Sequence, residues 1–467
     1  MRDLCLDSSH LEMLDRRFYE LRTASPLTNA VLVSANERLA CEMGLDTLHL
    51  RGEDFVKWLN GELVLDGSKP HANAYSGHQF GYFVPNLGDG RALNLGRLGG
   101  WHLQLKGSGR TAFSRDGDGR AVLRSSIREY LASELMHSLG IATTRALAII
   151  TSDTKVYRER IERGAIVMRA SSSWVRFGSF EFAYLGEHKE RHVKMLADYV
   201  IAQSYPELKE AQNPYEELFF AVCDRSLEMV AHWQSVGFMH GVMNTDNMSI
   251  EGKTIDYGPY AFMEAYDRKF ICNTSDYEGR YSFENQPYIV QWNLAALAHA
   301  FGAICDIEVL KSYVNTFIGR YKKRYYELMR EKLGLESACE DDAALILGLL
   351  SSLELNEIDY TDFFAQLSHA KFHERVSIEW QEAYKERLQK ESQSDEERLA
   401  KMQRINPRYV LKNYILEDAI SHAERLDFSK VALLLEIAQE PYEKNEAYES
   451  YSASVPKRTN IRCSCSS

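Results

Sequence analysis

The sequence contains no apolar run long enough to cross a membrane, although 45% of its 467 residues are hydrophobic. It also lacks an excess of positive charge, because Asp and Glu outnumber Lys and Arg and the formal net charge is −12. The first absence argues against a membrane partner, and the second argues against broad binding of nucleic acid. With 26% charged residues the composition is ordinary for a globular chain, so we expect a soluble protein.

Cysteines are too few for a disulfide framework, since the chain has eight in 467 residues. Five cysteines are scattered along the chain without the spacing of metal ligands, namely Cys5, Cys41, Cys223, Cys305 and Cys339. The N-terminus carries acidic residues early and lacks both the apolar core of a secretion signal and the Arg-rich composition of an import peptide. Together these features predict a cytoplasmic protein.

The composition changes along the chain and divides it into four segments. We expect an N-terminal extension at residues 1–70, which reads as helix and loop, and a glycine-rich β-sheet lobe with one helix at residues 71–172. A helical lobe follows at residues 173–438, and residues 439–467 form a polar tail that we expect to be mobile. This order predicts an α+β fold with a small β-rich lobe and a large helical lobe.

Glycines between Asn73 and Lys106 punctuate short apolar segments, a pattern typical of strands joined by tight turns. The strands predicted in the small lobe are Arg91–Leu95, Trp101–Lys106, Thr144–Thr151 and Gly164–Ala170. Apolar side chains at four-residue spacing predict a helix at Val122–Leu139. Glu129 lies off the apolar stripe of this helix, so its carboxylate faces either solvent or a cleft.

In the helical lobe, a predicted helix at Glu216–Val236 leads directly into the loop Met239–Asn247. Two short strands joined at Gly252 are predicted behind the loop, as a hairpin that presents Asp256 beside Asn247. These strands are Met248–Ile250 and Lys253–Ile255. The clearest later helices are Leu294–Phe301, Val309–Lys332, Ala343–Leu353 and Ala419–Glu424.

The loop and hairpin carry three oxygen donors, which are the carboxylates of Asp246 and Asp256 and the side-chain amide of Asn247. Hard oxygen ligands of this kind hold the Mg²⁺ that accompanies a nucleotide. The grouping therefore indicates phosphoryl or nucleotidyl transfer. Taken singly, each of these residues is more often part of a polar turn or a cap.

A strand ending in Lys106, a helix carrying Glu129, a His240-Gly241 loop and then Asp256 follow the order of parts in protein-kinase-like enzymes. In that order Lys106 neutralises nucleotide phosphates and Glu129 holds the lysine, while Asn247 and Asp256 hold the metal. Taken alone, Lys106 and Glu129 are more often surface residues. The order of the parts predicts a protein-kinase-like two-lobed fold.

One position departs from the kinase pattern. In small-molecule kinases of this fold the loop runs His-Gly-Asp, and the Asp accepts the proton of the substrate hydroxyl. Here Val242 follows His240-Gly241. Two inferences compete: the domain is an inactive scaffold, or it runs a related reaction with the acid at a new position, for which Asp246 is the candidate.

Motifs spread over nearly the whole chain resemble the selenoprotein O family, known in bacteria as YdiU-type proteins. These motifs are Ser76-Gly77-His78-Gln79-Phe80-Gly81, Leu87-Gly88-Asp89-Gly90-Arg91-Ala92, Gln104-Leu105-Lys106-Gly107, the stretch from Asp118 to Glu129, Asn285-Gln286-Pro287, Trp292-Asn293-Leu294 and Asn406-Pro407-Arg408-Tyr409. The resemblance implies an atypical pseudokinase that transfers AMP from ATP to Ser, Thr or Tyr hydroxyls of acceptor proteins. It also implies that the nucleotide is reversed relative to true kinases.

The resemblance implies a role for each matching residue. Asp246 is the base, and Asn247 and Asp256 are the ligands of Mg²⁺ or Mn²⁺. The phosphate-binding set is Lys106, Glu129, Arg169 and Arg176, and the residues that match further nucleotide contacts are Gly88, Gly90, Arg91, Asp118, Gly119 and Asp256. Without the resemblance, Arg169 and Arg176 would be interpreted as members of surface or structural ion pairs.

The end of the chain carries Cys463-Ser464-Cys465. Family members that contain selenocysteine have it close to the C-terminus, and Cys465 occupies the matching place. A disulfide from Cys463 or Cys465 to Cys272, beyond the Asp256 segment, is a hypothesis, and an inert Cys272 is its alternative.

Three alternatives to AMP transfer stay open. They are transfer of UMP from UTP, γ-phosphate transfer by a true kinase, and a non-catalytic nucleotide-binding scaffold. We expect protein acceptors as partners and no nucleic acid, and a monomer is compatible with the sequence.

Overall fold

The computed structural model describes Met1, residues 3–452 and Ile461. The protein is α+β, with a β-rich N-terminal region and a helical C-terminal region. The strands are β1 Tyr19–Leu21, β2 Val31–Ala35, β3 His71–Gln79, β4 Tyr82–Gly88, β5 Ala92–Leu98, β6 Trp101–Lys106, β7 Ala121–Val122, β8 Arg145–Tyr157, β9 Ile161–Ser171, β10 Phe238–His240 and β11 Tyr260–Phe262. The helices are α1 Glu37–Glu42, α2 Glu53–Leu59, α3 Leu123–Ser138, α4 Phe177–Ala183, α5 Lys189–Ser204, α6 Pro214–Ser235, α7 Gln286–Phe301, α8 Ile307–Asn315, α9 Phe317–Lys332, α10 Asp342–Leu355, α11 Tyr360–Leu367, α12 Ile378–Leu388, α13 Asp395–Ile405, α14 Asn413–Ala423, α15 Ser429–Gln439 and α16 Glu449–Ser452.

The large antiparallel sheet has the order β1-β3-β5-β6-β9-β8-β2, with β4 paired to β3 and β7 paired to β9. The four strands predicted for the small lobe correspond to β5, β6, β8 and β9. The expectation of only helix and loop before residue 70 is wrong, because β1 and β2 form the two edges of this sheet. These strands are three and five residues long, too short to show a clear period, and they form by pairing with β3 and β8.

Both faces of the sheet are covered. On one face α3 packs through Ile127, Leu131 and Leu135, which are buried together with residues of the helical region. On the other face Phe55 and Trp58 of α2 lie in a separate core with side chains of β6, β8 and β9. Covering on both sides holds the sheet rigid, so the ends of β6 and β9 are fixed where the functional residues follow.

The loop after α6 is held at both ends by pairing of β10 with β11, in which His240 lies opposite Tyr260. The predicted hairpin at residues 248–255 is reduced to one bridge between Met248 and Thr254. Other segments take its backbone groups instead: the Thr254 amide donates to the Ala142 carbonyl at 2.8 Å, and the Ile250 amide donates to the Val175 carbonyl at 3.1 Å. The segment therefore ties the helical region to the sheet.

The later helices agree with the periodic pattern, except that the predicted helix Val309–Lys332 is divided at Thr316 into α8 and α9. Part of the expected tail packs on the helical region, because Arg408 contacts Glu449 of α16 at 2.5 Å. Cys463 and Cys465 lie outside the described residues, and Cys272 is buried next to Gly241. In the part of the chain that the structure covers, no helix is long and apolar enough to span a membrane.

Candidate active site

A cleft of about 510 Å³ lies between the sheet and the helical region, within the size range of small-molecule sites. The residues predicted for the site that line it are Gly88, Gly90, Arg91, Lys106, Asp118, Gly119, Arg169, Arg176, Asp246, Asn247 and Asp256. Glu129 lies behind Lys106 and is buried. Residues distant in the sequence are therefore brought together in one cavity.

Three buried cations, the buried carboxylate of Glu129 and the partly exposed carboxylate of Asp256 form the base of the cleft. At the end of β6, the Lys106 Nζ lies 2.7 Å from Glu129 and 3.5 Å from Asp256. On β9, the Arg169 Nη1 lies 3.0 Å from Glu129 and 2.5 Å from Asp256, and Arg176 pairs with the other oxygen of Asp256. A third carboxylate, that of the buried Asp89, lies 3.9 Å from Arg176, so the three cations are matched by three carboxylates.

Asp256 is held as an anion. Burial would raise the pKa of its carboxyl, but Arg176, Arg169 and Lys106 together hold this pKa well below its usual range. The backbone of Asp256 is left-handed, with φ of 56°, which lets the chain turn back towards the cations. Burial in turn lowers the pKa of Lys106.

Asp246 has a different environment. It lies in the single helical turn Thr245–Asn247 and is 7% exposed. Burial raises the pKa of its carboxyl to about 6, while a hydrogen bond of 3.1 Å from the Gln79 amide to Oδ2 acts in the opposite direction. The other oxygen, Oδ1, is buried and has no hydrogen-bond partner in the described chain. A carboxylate with a raised pKa and one free oxygen is suited to accept a proton near neutral pH.

Two glycines make room for Asp246. A Cβ on Gly77 of β3 would lie 2.7 Å from the Asp246 Oδ1. A Cβ on Gly178 of α4 would lie 2.1 Å from the Ser76 carbonyl oxygen and 3.3 Å from the Asp246 Cα. Strand and helix therefore approach the loop that carries Asp246 more closely than any side chain at these positions permits.

The turn between β3 and β4 covers the loop that carries Asp246. The His78 amide donates to Thr245 Oγ1 at 2.7 Å, and Thr245 donates to Glu181 of α4 at 2.5 Å. The Phe80 amide donates to the Asn244 side chain at 3.1 Å. His78 and Phe80 lie in one of the sequence motifs, but no local pattern assigned them a role, because each acts through a partner distant in the chain.

The other predicted contacts have mainly structural neighbours. Asp118 binds Arg158 through two hydrogen bonds of 2.8 and 2.9 Å, and Arg158 was not among the predicted residues. Gly88 and Gly90 both pack against Phe113. A Cβ on Gly88 would lie 2.3 Å from the Phe113 ring, and a Cβ on Gly90 would lie 2.8 Å from the Phe113 carbonyl oxygen. These glycines shape the cleft wall.

A divalent cation fits the donor set. The Asn247 side-chain NH₂ donates to the Val242 carbonyl at 3.0 Å, so its oxygen remains available as a ligand. Asn247 and Asp256 together offer hard oxygens of the kind that Mg²⁺ uses alongside nucleotide phosphates. Among the described residues no cluster of three or more His, Cys, Asp or Glu side chains could hold a metal. The two residues would therefore share the ion with phosphate oxygens.

His240 supports this loop from behind. It is buried, and its Nε2 lies 3.0 Å from the Ile255 carbonyl oxygen. Burial lowers the pKa of His240, so its ring stays neutral. The residue connects the loop to the segment that ends in Asp256.

Comparison with known proteins identifies the family of the chain. Residues 6–439 match the family model described as "Protein adenylyltransferase SelO". Proteins named "Protein nucleotidyltransferase YdiU" are similar over nearly their whole length: that of Thioalkalivibrio sulfidiphilus (strain HL-EbGR7) is 45% identical over 478 residues, covering 97% of each chain. That of Herminiimonas arsenicoxydans is 44% identical over 473 residues, covering 96% of this chain and 94% of its own. The resemblance seen in the sequence motifs is thereby confirmed, and the chain belongs to the SelO family and is a nucleotidyltransferase.

Proposed function

We propose that this nucleotidyltransferase is a protein adenylyltransferase, which transfers AMP from ATP to Ser, Thr or Tyr hydroxyls of acceptor proteins. The observation that carries the proposal is the placement of Asp246, a carboxylate with a raised pKa and a free oxygen, in the same cleft as three buried cations. The family description and the names of the relatives support transfer of a nucleotidyl group to protein.

The arrangement supports a protein-kinase-like two-lobed organisation. A strand lysine, Lys106, pairs with Glu129 of the helix that crosses the sheet, and the cleft separates this β-rich part from the helices. Asn247 and Asp256 enter the cleft from the helical side. These are the relative positions that the kinase order of parts requires.

In the proposed reaction Asp246 accepts the proton of the acceptor hydroxyl, and the hydroxyl oxygen attacks the α-phosphorus of ATP. The bond from this phosphorus to the bridging oxygen of pyrophosphate breaks. Lys106, Arg169 and Arg176 then stabilise the negative charge of the departing pyrophosphate. When bound through Asn247 and Asp256, Mg²⁺ or Mn²⁺ would add charge neutralisation on the phosphates.

The depth of the cations supports the reversed nucleotide. Lys106, Arg169 and Arg176 are at most 7% exposed, whereas Arg91 lies at the exposed edge of the cleft. The β- and γ-phosphates would therefore lie deepest, with the α-phosphorus nearer to Asp246 and the acceptor. We place the enzyme in the cytoplasm and expect it to act on proteins rather than nucleic acid.

Labelled nucleotides test the proposal. The protein and acceptor proteins are incubated with ATP labelled at the α- or the γ-phosphate, and separately with α-labelled UTP. Label from α-ATP on protein, lost in Asp246→Ala, is the expected result. Label from γ-ATP alone indicates a kinase, label from UTP in preference to ATP indicates UMP transfer, and no label in any arm indicates a scaffold.

A further inference from the structure

A second cavity, of about 480 Å³, lies between α4 and α7 and is called here the α4–α7 groove. Strand β3 separates it from the nucleotide cleft, because Gln79 lines the cleft and its neighbour His78 lines the groove. Adjacent residues of a strand face opposite sides, so the two cavities flank the same short stretch of chain. The apolar lining includes Phe83, Leu185, Trp292, Ala295, Ala296 and Ala300.

Both helices that border the groove are tied to the loop of Asp246. Asn293 of α7 donates its side-chain amide to the Met243 carbonyl at 2.9 Å. On α4, Glu181 lines the groove and accepts the hydrogen bond from Thr245 at 2.5 Å. The groove and the proposed base are therefore held in a fixed relative position.

The rim of the groove exposes apolar surface and one cation. Phe83 is 42% exposed and Trp292 is 38% exposed. The Arg280 guanidinium lies over the Trp292 ring, 4.9 Å from its centre, and a Cβ on Gly81 would lie 3.5 Å from the same guanidinium. Within the described residues the Arg280 Nε is buried without a hydrogen-bond partner, and the guanidinium has aromatic rings rather than a carboxylate as its neighbours. The rim thus matches a ligand that carries a large apolar side chain and a carboxylate.

We propose that the α4–α7 groove binds the acceptor protein as an extended segment, which places a large apolar side chain in the groove and an acidic side chain at Arg280. The inference rests on the proposed function, because it needs a protein hydroxyl at Asp246. An extended segment advances about 3.3 Å per residue, so residues two to four positions apart lie about 7 to 13 Å apart along it. This is the spacing proposed between the apolar residue and the acceptor hydroxyl.

A peptide library tests the groove directly. Peptides with one central Ser, Thr or Tyr and varied flanking positions are incubated with the full-length protein and α-labelled ATP. The variant Ala295→Glu places a charge on the exposed groove floor, and Ala432→Glu, on an exposed position of α15, is the matched control. Phe83→Ser on the rim is a second variant, in case the first is unstable.

The wild-type protein should favour an aromatic or large aliphatic residue two to four positions from the hydroxyl. Ala295→Glu and Phe83→Ser should lower labelling of these peptides at least tenfold, with ATP affinity within twofold of wild type, while Ala432→Glu changes neither. An equal preference for these apolar residues in wild type and both groove variants overturns the groove proposal but not the proposed function. A wild-type dimer that either groove variant dissociates also overturns it, because the occupant is then a second copy. Absence of label on any peptide or protein overturns the groove and the proposed function together.

Discussion

Replacing Asp246 by Asn should stabilise the protein. Burial raises the pKa of this carboxyl from 3.8 to about 6, so folding disfavours its ionised form. A raised carboxyl pKa means that stability is lost as the pH rises from about 4 to about 6, and the full penalty of about 3 kcal/mol is present above that range. An Asn keeps the bond from Gln79 but places an amide NH₂ where Oδ1 has no partner, which costs about 1 kcal/mol. The expected net gain is about 2 kcal/mol at pH values near 8.

Asp256→Asn should destabilise the protein, although Asp256 lies in the same cleft as Asp246. Its pKa is held well below the usual range, so its ionised form stabilises the fold at every pH above about 4. Removing the charge leaves Lys106 and Arg169 with Glu129, and Arg176 with Asp89 at 3.9 Å. Breaking buried pairs of this kind costs about 3 kcal/mol or more. The two variants are therefore matched controls, because they should change the stability of the protein in opposite directions.

Scanning calorimetry at two pH values measures both effects. For a chain of this length the entropy of unfolding is about 1 kcal/mol per kelvin, so Asp246→Asn should raise the Tm by about 2 °C near pH 8. Near pH 4.5 the ionisation penalty falls to about 1 kcal/mol, which the cost of the amide offsets, and the increase should vanish. A Tm for Asp246→Asn at or below that of wild type near pH 8 would refute the reasoning. So would an increase of equal size at both pH values.

The pKa of Asp246 also predicts a rate profile in which transfer falls about tenfold per pH unit below about pH 6, measured as kcat/KM for α-labelled ATP and an acceptor. Gln79→Leu should lower kcat about tenfold with little change in nucleotide affinity. It should also move the acidic limb of the profile to higher pH, because the hydrogen bond from Gln79 lowers the pKa of Asp246. An unshifted limb would contradict the role of Gln79 in positioning Asp246. Gly178→Ala should lower the Tm despite the better helix propensity of Ala, since its Cβ would overlap the Ser76 carbonyl. Gly319→Ala is its control, because nothing lies within 4 Å of that Cβ, and calorimetry should find it neutral or stabilising by up to about 1 kcal/mol.

Elements with a clear period could be predicted from the sequence. The helix with Ile127 and Leu131 at four-residue spacing and the strand that ends at Lys106 are present within one or two residues of their predicted bounds. Among the cleft residues, the oxygen donors Asn247 and Asp256 could be named from their residue types, whereas Arg169, Arg176 and the glycines of the cleft were named only through the family resemblance. Periodic patterns and chemically distinctive residue types both lie within short stretches of sequence, so recognising them requires no knowledge of tertiary contacts.

Features that depend on distant partners could not be predicted. The periodicity of its helix left open whether Glu129 faced solvent or the cleft; the kinase order of parts predicted its contact with Lys106, but not its contact with Arg169. The strands at the sheet edges are too short to show a period. The role of Gln79 arises from a contact with a residue far along the chain, which no spacing rule reveals.

The charges of the cleft divide two tasks between two carboxylates. Asp256 lies against three cations and remains an anion, so it balances their charge when no nucleotide is bound. Asp246 is shielded from those cations except for Arg176, whose Nη1 donates to its backbone carbonyl at 2.7 Å rather than to its carboxylate. Its pKa can therefore stay near 6 beside the three cations of the cleft. Burial is the largest cause of its raised pKa, and the close approach of Gly77 and Gly178 contributes to that burial.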